Sequence, residues 1–335
     1  MSAKGGTSFQ PNKYFTLPHI PQSPSPIGEG LQEACAMQDR SRGEVKKNVF
    51  ARIHNISTIF AAFNGMLYHK TYINDPAYEW VVFIHGAGGS SVVWYKQIQA
   101  YCRHFNLLLV DLRGHGRSAE GPDMQRHDYS FESIALDIVE VLDHLNIQKA
   151  HFIGVSLGTI IIRKLAELRR HYVKSMIMVG AITHLNFKSR FFVKLGRIFH
   201  DIMPYMWLYR FFAFIIMPRD EAKESRNVFV QEAQKLARKE FIRWFMLTRR
   251  LTAKIKKMEE NDPGIPVLYV MGEQDHMFLE PVKERVKKFR NQTLAVVEQC
   301  GHVVNIEKAA IFNELSIDFI QQLKPQPVHI ENHGS

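Results

Sequence analysis

Cysteine is scarce in this 335-residue chain: Cys35, Cys102 and Cys300 are the full set. An odd number without metal-like pair spacing supports neither a disulfide framework nor a zinc cluster, so a reducing compartment is the expectation. Long apolar runs are also missing. The first 30 residues hold no stretch of the kind a secretory signal needs. The greasiest segment, Met203 to Pro218, is interrupted by Arg210, and it falls short of the about 18 apolar residues expected of a spanning helix. The expectation is a cytoplasmic protein with at most peripheral membrane contact. What is present, 46% hydrophobic and 23% charged residues, matches ordinary folded proteins and excludes a disordered or collagenous chain.

Five of the fourteen prolines lie in the first 26 residues among Ser, Gly and Gln, which reads as a flexible Pro-rich arm over residues 1–45. From Val49 to Ile73 the pattern suits two short strands around a turn at Asn64-Gly65. Beyond it, short apolar runs recur at Trp80 to Ile84, Leu107 to Val110, Phe152 to Val155, Met176 to Val179, Val267 to Met271 and Leu294 to Val297. Such runs suit strands of a parallel sheet buried on both faces. Helical periods separate several of them, as in Ile134, Ile138, Val141, Leu142 and Leu145, or Ile311, Leu315 and Phe319. Alternation of strand and helix gives an α/β class, with a mostly parallel central sheet flanked by helices.

The alternation breaks over residues 184–258, which look helical and are read as an inserted cap. Core is expected over 46–183 and 259–325, and a flexible tail over 326–335. The insert holds 17 Lys and Arg against 6 Asp and Glu, a net of +11 in a chain whose total is +10. It also holds 14 of the 38 aromatic residues. The basic excess of the whole protein therefore belongs to this one segment.

Residues His151 to Thr159 read HFIGVSLGT, placing Gly154, Ser156 and Gly158 between a strand and a helix as G-x-S-x-G. A serine on so sharp a turn, the nucleophile elbow, has its neighbours pressed close, and glycine two positions either side leaves the room. The same turn puts the Leu157 N–H at a helix start, where unpaired donors and the helix dipole favour a developing oxyanion. A Gly-flanked turn with an N-capping serine is the bland alternative. An earlier loop, His85-Gly86-Ala87-Gly88-Gly89, follows a strand and offers the Ala87 N–H as the second donor of an oxyanion hole. That loop lacks the Lys-Ser/Thr ending of a P-loop and the spacing of a dinucleotide fingerprint.

With DLRGHGRS over Asp111 to Ser118 and Trp94 after the glycine loop, the chain from about residue 65 to 322 resembles the α/β-hydrolase superfamily, in its serine carboxylesterase or lipase-like branch with a helical cap. The resemblance implies the chain order nucleophile, acid, base. It places the acid at Asp275 in MGEQDHM, with Glu273 as rival, and the base at His302 in the EQCGH loop. Asp111, Arg113 and Gly114 take structural roles. His85, Gly86, Trp94 and His276 are substrate-contact candidates, with loop structure the other role for His85, His115 and His276. Cys300 reads as a small buried hydrophobe.

The resemblance implies a catalytic triad of Ser156, Asp275 and His302 that forms an acyl-serine and needs no cofactor or metal. Serine stands where dehalogenases and epoxide hydrolases of the superfamily carry aspartate, which disfavours those chemistries. A carboxylic ester, lipophilic because the cap is aromatic-rich, is the expected substrate. Carbon–carbon hydrolysis of a ring-cleavage product and cofactor-free haloperoxidation use the same triad and stay open, as does a receptor or signalling partner that acts by binding. The basic, aromatic cap is either a solvated face or a contact for anionic membrane or a carboxylate-bearing substrate, and nucleic acid is not expected.

Overall fold

The computed structural model describes residues 14–15, 65–119, 129–185, 187–199, 203–249, 255 and 261–324. The strands are β1 (Tyr14–Phe15), β2 (His69–Tyr72), β3 (Trp80–Ile84), β4 (Asn106–Val110), β5 (Ala150–Val155), β6 (Val173–Val179), β7 (Val267–Gly272) and β8 (Gln292–Val297). They form one sheet in the order β1-β8-β7-β6-β5-β3-β4-β2. Every pairing is parallel except that of β2 with β4.

The α-helices are α1 (Tyr95–Tyr101), α2 (Phe131–His144), α3 (Leu157–Leu168), α4 (Phe187–Phe199), α5 (Tyr205–Ile216), α6 (Lys223–Gln234), α7 (Arg238–Arg249), α8 (Leu279–Lys288), α9 (Val304–Glu307) and α10 (Ala309–Gln322).

The apolar runs alternate between two cores because successive strand side chains point to opposite faces. Val81, Phe83, Leu107 and Leu109 join the core of Trp94, Tyr101, Phe312 and Ile320, from α1, α10 and the short 3-10 turn before α1. Val82, Ile84, Leu108 and Val110 join the core of Ile134, Ile138, Ile161 and Leu165, from α2 and α3. Strands β4, β5 and β7 are thus buried at every position, whereas the edge strand β2 alternates buried and half-buried residues. Helix α2 begins where Ser130 and Ser133 cap each other's backbone N–H, satisfying donors that a helix start leaves unpaired.

Two expectations concern the chain's start. Of the two strands read between Val49 and Ile73, β2 is the one among the described residues; the stretch up to Asn64 lies outside them, as does the tail. Within the span read as a flexible arm, Tyr14 and Phe15 pair with Leu294 and Ala295 of β8. The rest of the arm lies outside the described residues.

Between β6 and β7 the chain leaves the sheet for α4 to α7. Ties to the core come from side chains of this insertion. Glu224 of α6 accepts from the Tyr95 hydroxyl at 2.6 Å and from Lys96. Glu232 of the same helix accepts from the Ser90 hydroxyl at 2.6 Å. Glu240 of α7 accepts from the Tyr129 hydroxyl, and Trp244 donates its indole N–H to the Arg113 carbonyl at 2.9 Å. Tyr209 of α5 donates its hydroxyl to the Ala87 carbonyl at 3.0 Å.

Candidate active site

Sheet order alone marks a crevice. From β3 the chain passes to β4 on one side and then crosses to β5 on the other, so the winding reverses there, and ligands of open α/β sheets bind outside the strand ends at such a switch point. The loop His85 to Gly89 follows β3, and Ser156 follows β5. Asp275 and His302 follow β7 and β8 at the same end of the sheet.

Ser156 has φ 52° and ψ −117°, a left-handed conformation that costs a non-glycine residue of order 1–3 kcal/mol. The strain is held in place by backbone bonds. Its N–H donates to Val179 O at 2.9 Å, and its carbonyl accepts from the Thr159 N–H at 3.0 Å. The hydroxyl makes no capping bond to α3, so the N-capping alternative does not describe it. The side chain is half-exposed. A Cβ on Gly158 would come within 2.4 Å of Ile84 O, and one on Gly154 within 2.9 Å of the Gly158 carbonyl carbon. Both flanking glycines therefore serve the close approach of helix and strands that the spacing predicted.

Leu157 is the first residue of α3, so its N–H has no acceptor within the helix. Across from it, Gly86 packs so closely that a Cβ there would lie 3.3 Å from the Ser156 Cβ. The neighbouring Gly88 N–H is already used, donating to His115 Nε2 at 3.0 Å. Ala87 stands exposed between these two glycines, with its carbonyl held by Tyr209.

Two buried imidazoles set this loop. His85 donates from Nδ1 to Gly86 O at 2.7 Å and accepts the Leu112 N–H on Nε2 at 2.9 Å. His115 accepts from Gly88 and donates to Arg113 O at 3.1 Å. Burial pushes His85 down to about 4. Burial, then the neighbouring His85, pushes His115 to about 3. Both stay neutral, and each nitrogen has a backbone partner. His85 is thus a structural residue of the loop, correcting its place among substrate contacts. Trp94 is likewise fully buried and packed on Phe83 at 5.1 Å between ring centres.

On the other side, Asp275 and His302 are both buried, and His302 Nδ1 meets Asp275 Oδ2 at 2.7 Å. The second carboxylate oxygen accepts the N–H groups of Met277 at 3.3 Å and Phe278 at 3.1 Å. The carboxylate is thereby fixed and its charge met by donors. The rival Glu273 is exposed and accepts the Gln299 N–H at 3.1 Å, which ties one loop to the other and leaves it away from the imidazole. His276 is exposed beside Asp275. Among the described residues the Nε2 of His302 is buried without a hydrogen-bond partner, so its bond to the Ser156 hydroxyl is not closed in this conformation. The two residues are linked through β6: Ser156 bonds to Val179 O, and the next residue, Gly180, lies so close to His302 that a Cβ would sit 3.0 Å from Nδ1. Catalytic hydrogen bonds often tighten only with substrate in place.

Asp111 behaves as a structural residue, accepting the N–H groups of Ser91 at 2.6 Å and Arg117 at 2.9 Å. Arg113 forms a buried two-pronged pair with Asp137, at 2.8 and 2.7 Å. The Cys300 thiol is buried and pushed up by burial and the nearby Glu307, so it stays protonated. Sequence reasoning missed Glu307, whose carboxylate accepts the N–H groups of Gly301 at 2.8 Å and Val303 at 3.3 Å on either side of His302. An acidic residue five positions past the predicted base was the available signal. Among the described residues no group of three His, Cys, Asp or Glu is placed to hold a metal ion.

The chain is similar to known proteins in sequence and in fold. A family model described as alpha/beta hydrolase fold matches residues 79–201. A protein of Stutzerimonas stutzeri named as a carbamate hydrolase, RutD, is 26% identical over 253 residues, covering 74% of this chain and 94% of that protein. The fold is similar to that of a solved carboxylesterase of Nitrososphaera gargenis, with a TM-score of 0.63 at 22% identity over 77% of this chain and 94% of the other. It is also similar to an enol-lactonase of Burkholderia xenovorans, with a TM-score of 0.61 at 20% identity over 78% and 99%.

Proposed function

We propose, from the premise that the chain belongs to the α/β-hydrolase fold superfamily, that it is a serine hydrolase acting on carboxylic esters with a lipophilic acyl or alcohol part. The observation that carries this reading is the buried His302–Asp275 pair at 2.7 Å, which leaves Nε2 without a partner at the same end of the sheet as a strained, uncapped Ser156. An imidazole anchored at Nδ1 by a carboxylate presents a lone pair at Nε2, and that is what a serine hydroxyl needs to lose its proton.

In the proposed course, the Ser156 Oγ attacks the ester carbonyl carbon while His302 Nε2 takes its proton. The carbonyl oxygen becomes an oxyanion met by the N–H groups of Leu157 and Ala87, and Asp275 stabilises the imidazolium. As the tetrahedral intermediate collapses, the carbon–oxygen bond to the alcohol breaks and His302 protonates the leaving alcohol. Water, deprotonated by the same imidazole, then releases the acid from Ser156. The insertion acts as a cap over the strand ends, with Phe229 packed beside Gly86 and Gly89.

A carbamate is the second reading, favoured because a relative matched over 94% of its length is named for it. Its carbonyl would meet the same groups. A fluorophosphonate probe on the purified chain, with aryl esters and aryl carbamates assayed alongside, tests both. Labelling that Ser156→Ala abolishes, with ester turnover exceeding carbamate turnover, is expected. Labelling that survives Ser156→Ala, or an intact protein that turns over neither, would overturn the serine-hydrolase reading. Turnover of a vinylogous diketone instead would assign carbon–carbon hydrolysis.

A further inference from the structure

Helices α4 and α5 expose large apolar side chains that the ordinary rule for a surface helix would bury. In α5, Trp207, Phe211 and Phe214 stand at positions i, i+4 and i+7, one face of a helix, and are 66%, 43% and 57% exposed. The opposite side holds the buried Leu208 and Ala213. In α4, Phe187 and Ile198 share a face by the same spacing and are 85% and 56% exposed, while Ser189 is buried. The two helices pack against each other. Cations lie on the same faces: Lys194 shares the α4 face, Arg210 the α5 face, and both are exposed.

The charge around these faces is one-sided. Residues 184–258 carry 17 basic and 6 acidic residues. Of those six, Glu224, Glu232 and Glu240 are engaged with Tyr95, Ser90 and Tyr129 of the core, Glu232 and Glu240 also pair with Lys235 and Arg243, and Glu221 is paired with Arg219; Lys194 and Arg210 are in none of these pairs. Few carboxylates remain to neutralise the exposed cations. Large aromatic and aliphatic side chains interspersed with Lys and Arg match the water-to-hydrocarbon boundary of an anionic bilayer, with apolar groups beneath the headgroups and cations level with them. No helix among the described residues is long and apolar enough to cross a membrane.

We propose that the outer faces of α4 and α5 dock on an anionic lipid bilayer, with Trp207, Phe211, Phe214, Phe187 and Ile198 entering the headgroup boundary and Lys194 and Arg210 meeting the lipid anions. The position relative to the site gives this contact a use. Tyr209 of α5, on the side away from Trp207, touches the Ala87 carbonyl, so one helix diameter, about 10 Å, separates the docked surface from the glycine loop. A lipophilic ester could then pass from the bilayer to the site without crossing much water. That route rests on the serine-hydrolase reading; the docking itself does not.

The test is flotation of the purified full chain with vesicles of phosphatidylcholine alone, or mixed with phosphatidylserine, at low and high salt. Turnover of a water-soluble aryl ester is followed separately. The chain is expected to float with the phosphatidylserine vesicles at low salt and to do so less at high salt. Replacing Lys194 or Arg210 by Gln should cost about fivefold in partition per charge. The double variant Trp207→Ser/Phe214→Ser should lose partition at least tenfold, taking roughly 0.8 kcal/mol per buried CH2, while keeping its melting temperature and its turnover of the soluble ester. Ser156→Ala should float as the parent does, which separates failure of the docking from failure of the chemistry. Absence of the parent from both kinds of vesicle, or partition indifferent to the double variant, would overturn the proposal. So would a dimer that the double variant dissociates in sedimentation velocity, since a second copy would then be the occupant of the face.

Discussion

The strand-end loops and the helical insertion solve opposite problems with the same residue types. In the loops, the buried carboxylate and imidazole groups are paired, the Nε2 of His302 excepted: Asp275 meets two N–H groups and His302, and His85 and His115 each hold two backbone partners. In the insertion, the carboxylates bond across to the core while large apolar side chains face water. Buried polar groups in the loops must be paired because an unpaired one costs about 1–3 kcal/mol. The insertion has no such pressure on its outer face. The contrast separates a part built to hold a few atoms still from a part built to meet something else.

Substitutions at the loops should therefore damage chemistry, and those at the insertion should damage attachment. The largest effect is expected of His302→Ala or Ser156→Ala, with kcat for an aryl ester falling by about 10^4-fold or more and, for Ser156→Ala, the melting temperature little changed. Equal loss of turnover from Glu273→Gln would shift the acid away from Asp275. Next is Gly180→Ala, whose Cβ would lie 2.5 Å from His302 O and 3.0 Å from Nδ1. Displacing the imidazole by a fraction of an ångström should lower kcat about 10²-fold, more than KM changes.

At the boundary between the two regions, Glu232→Ala removes the acceptor of the buried Ser90 hydroxyl. A stability loss of about 1–3 kcal/mol, read by urea denaturation, is expected, with a smaller change in kcat than at Gly180. A change confined to kcat would erase the distinction between the regions. A further effect is graded with pH. His85 and His115 titrate at about 4 and about 3 in the fold, below the ordinary imidazole value near 6.5. Above that ordinary value both states are neutral and stability is complete. As pH falls below it the unfolded chain binds protons that the fold refuses, so stability declines toward pH 4 and below. Melting temperatures from pH 8 to 4 should show the decline, and His115→Asn should flatten it.

The core strands were legible because a strand buried on both faces leaves a short run of apolar residues, and here such runs recur between helical periods; β3 matches its predicted bounds, Trp80 to Ile84, at both ends. The site positions were legible because each falls where such a run ends. Glu307, Glu232 and Tyr209 were not, since their partners lie in other elements and a lone Glu or Tyr on a helix has the same local signature whether it faces solvent or a loop. The fate of the aromatic residues in the insertion was hidden for a related reason. Helical spacing tells which residues share a face, and Trp207, Phe211 and Phe214 plainly do, but not which face is turned to the protein.

Local pattern by itself determined the alternation of strand and helix, the sharp turn at Ser156 and the positions of Asp275 and His302 at strand ends, because these follow from chain periodicity and from the sterics of neighbouring residues. Only the tertiary structure decided that His302 meets Asp275 and not Glu273, that His85 and His115 serve the glycine loop, and that α4 and α5 turn large apolar side chains outward. Those outcomes depend on which surfaces compete for burial once the sheet has formed, and that competition is settled among residues far apart in the chain.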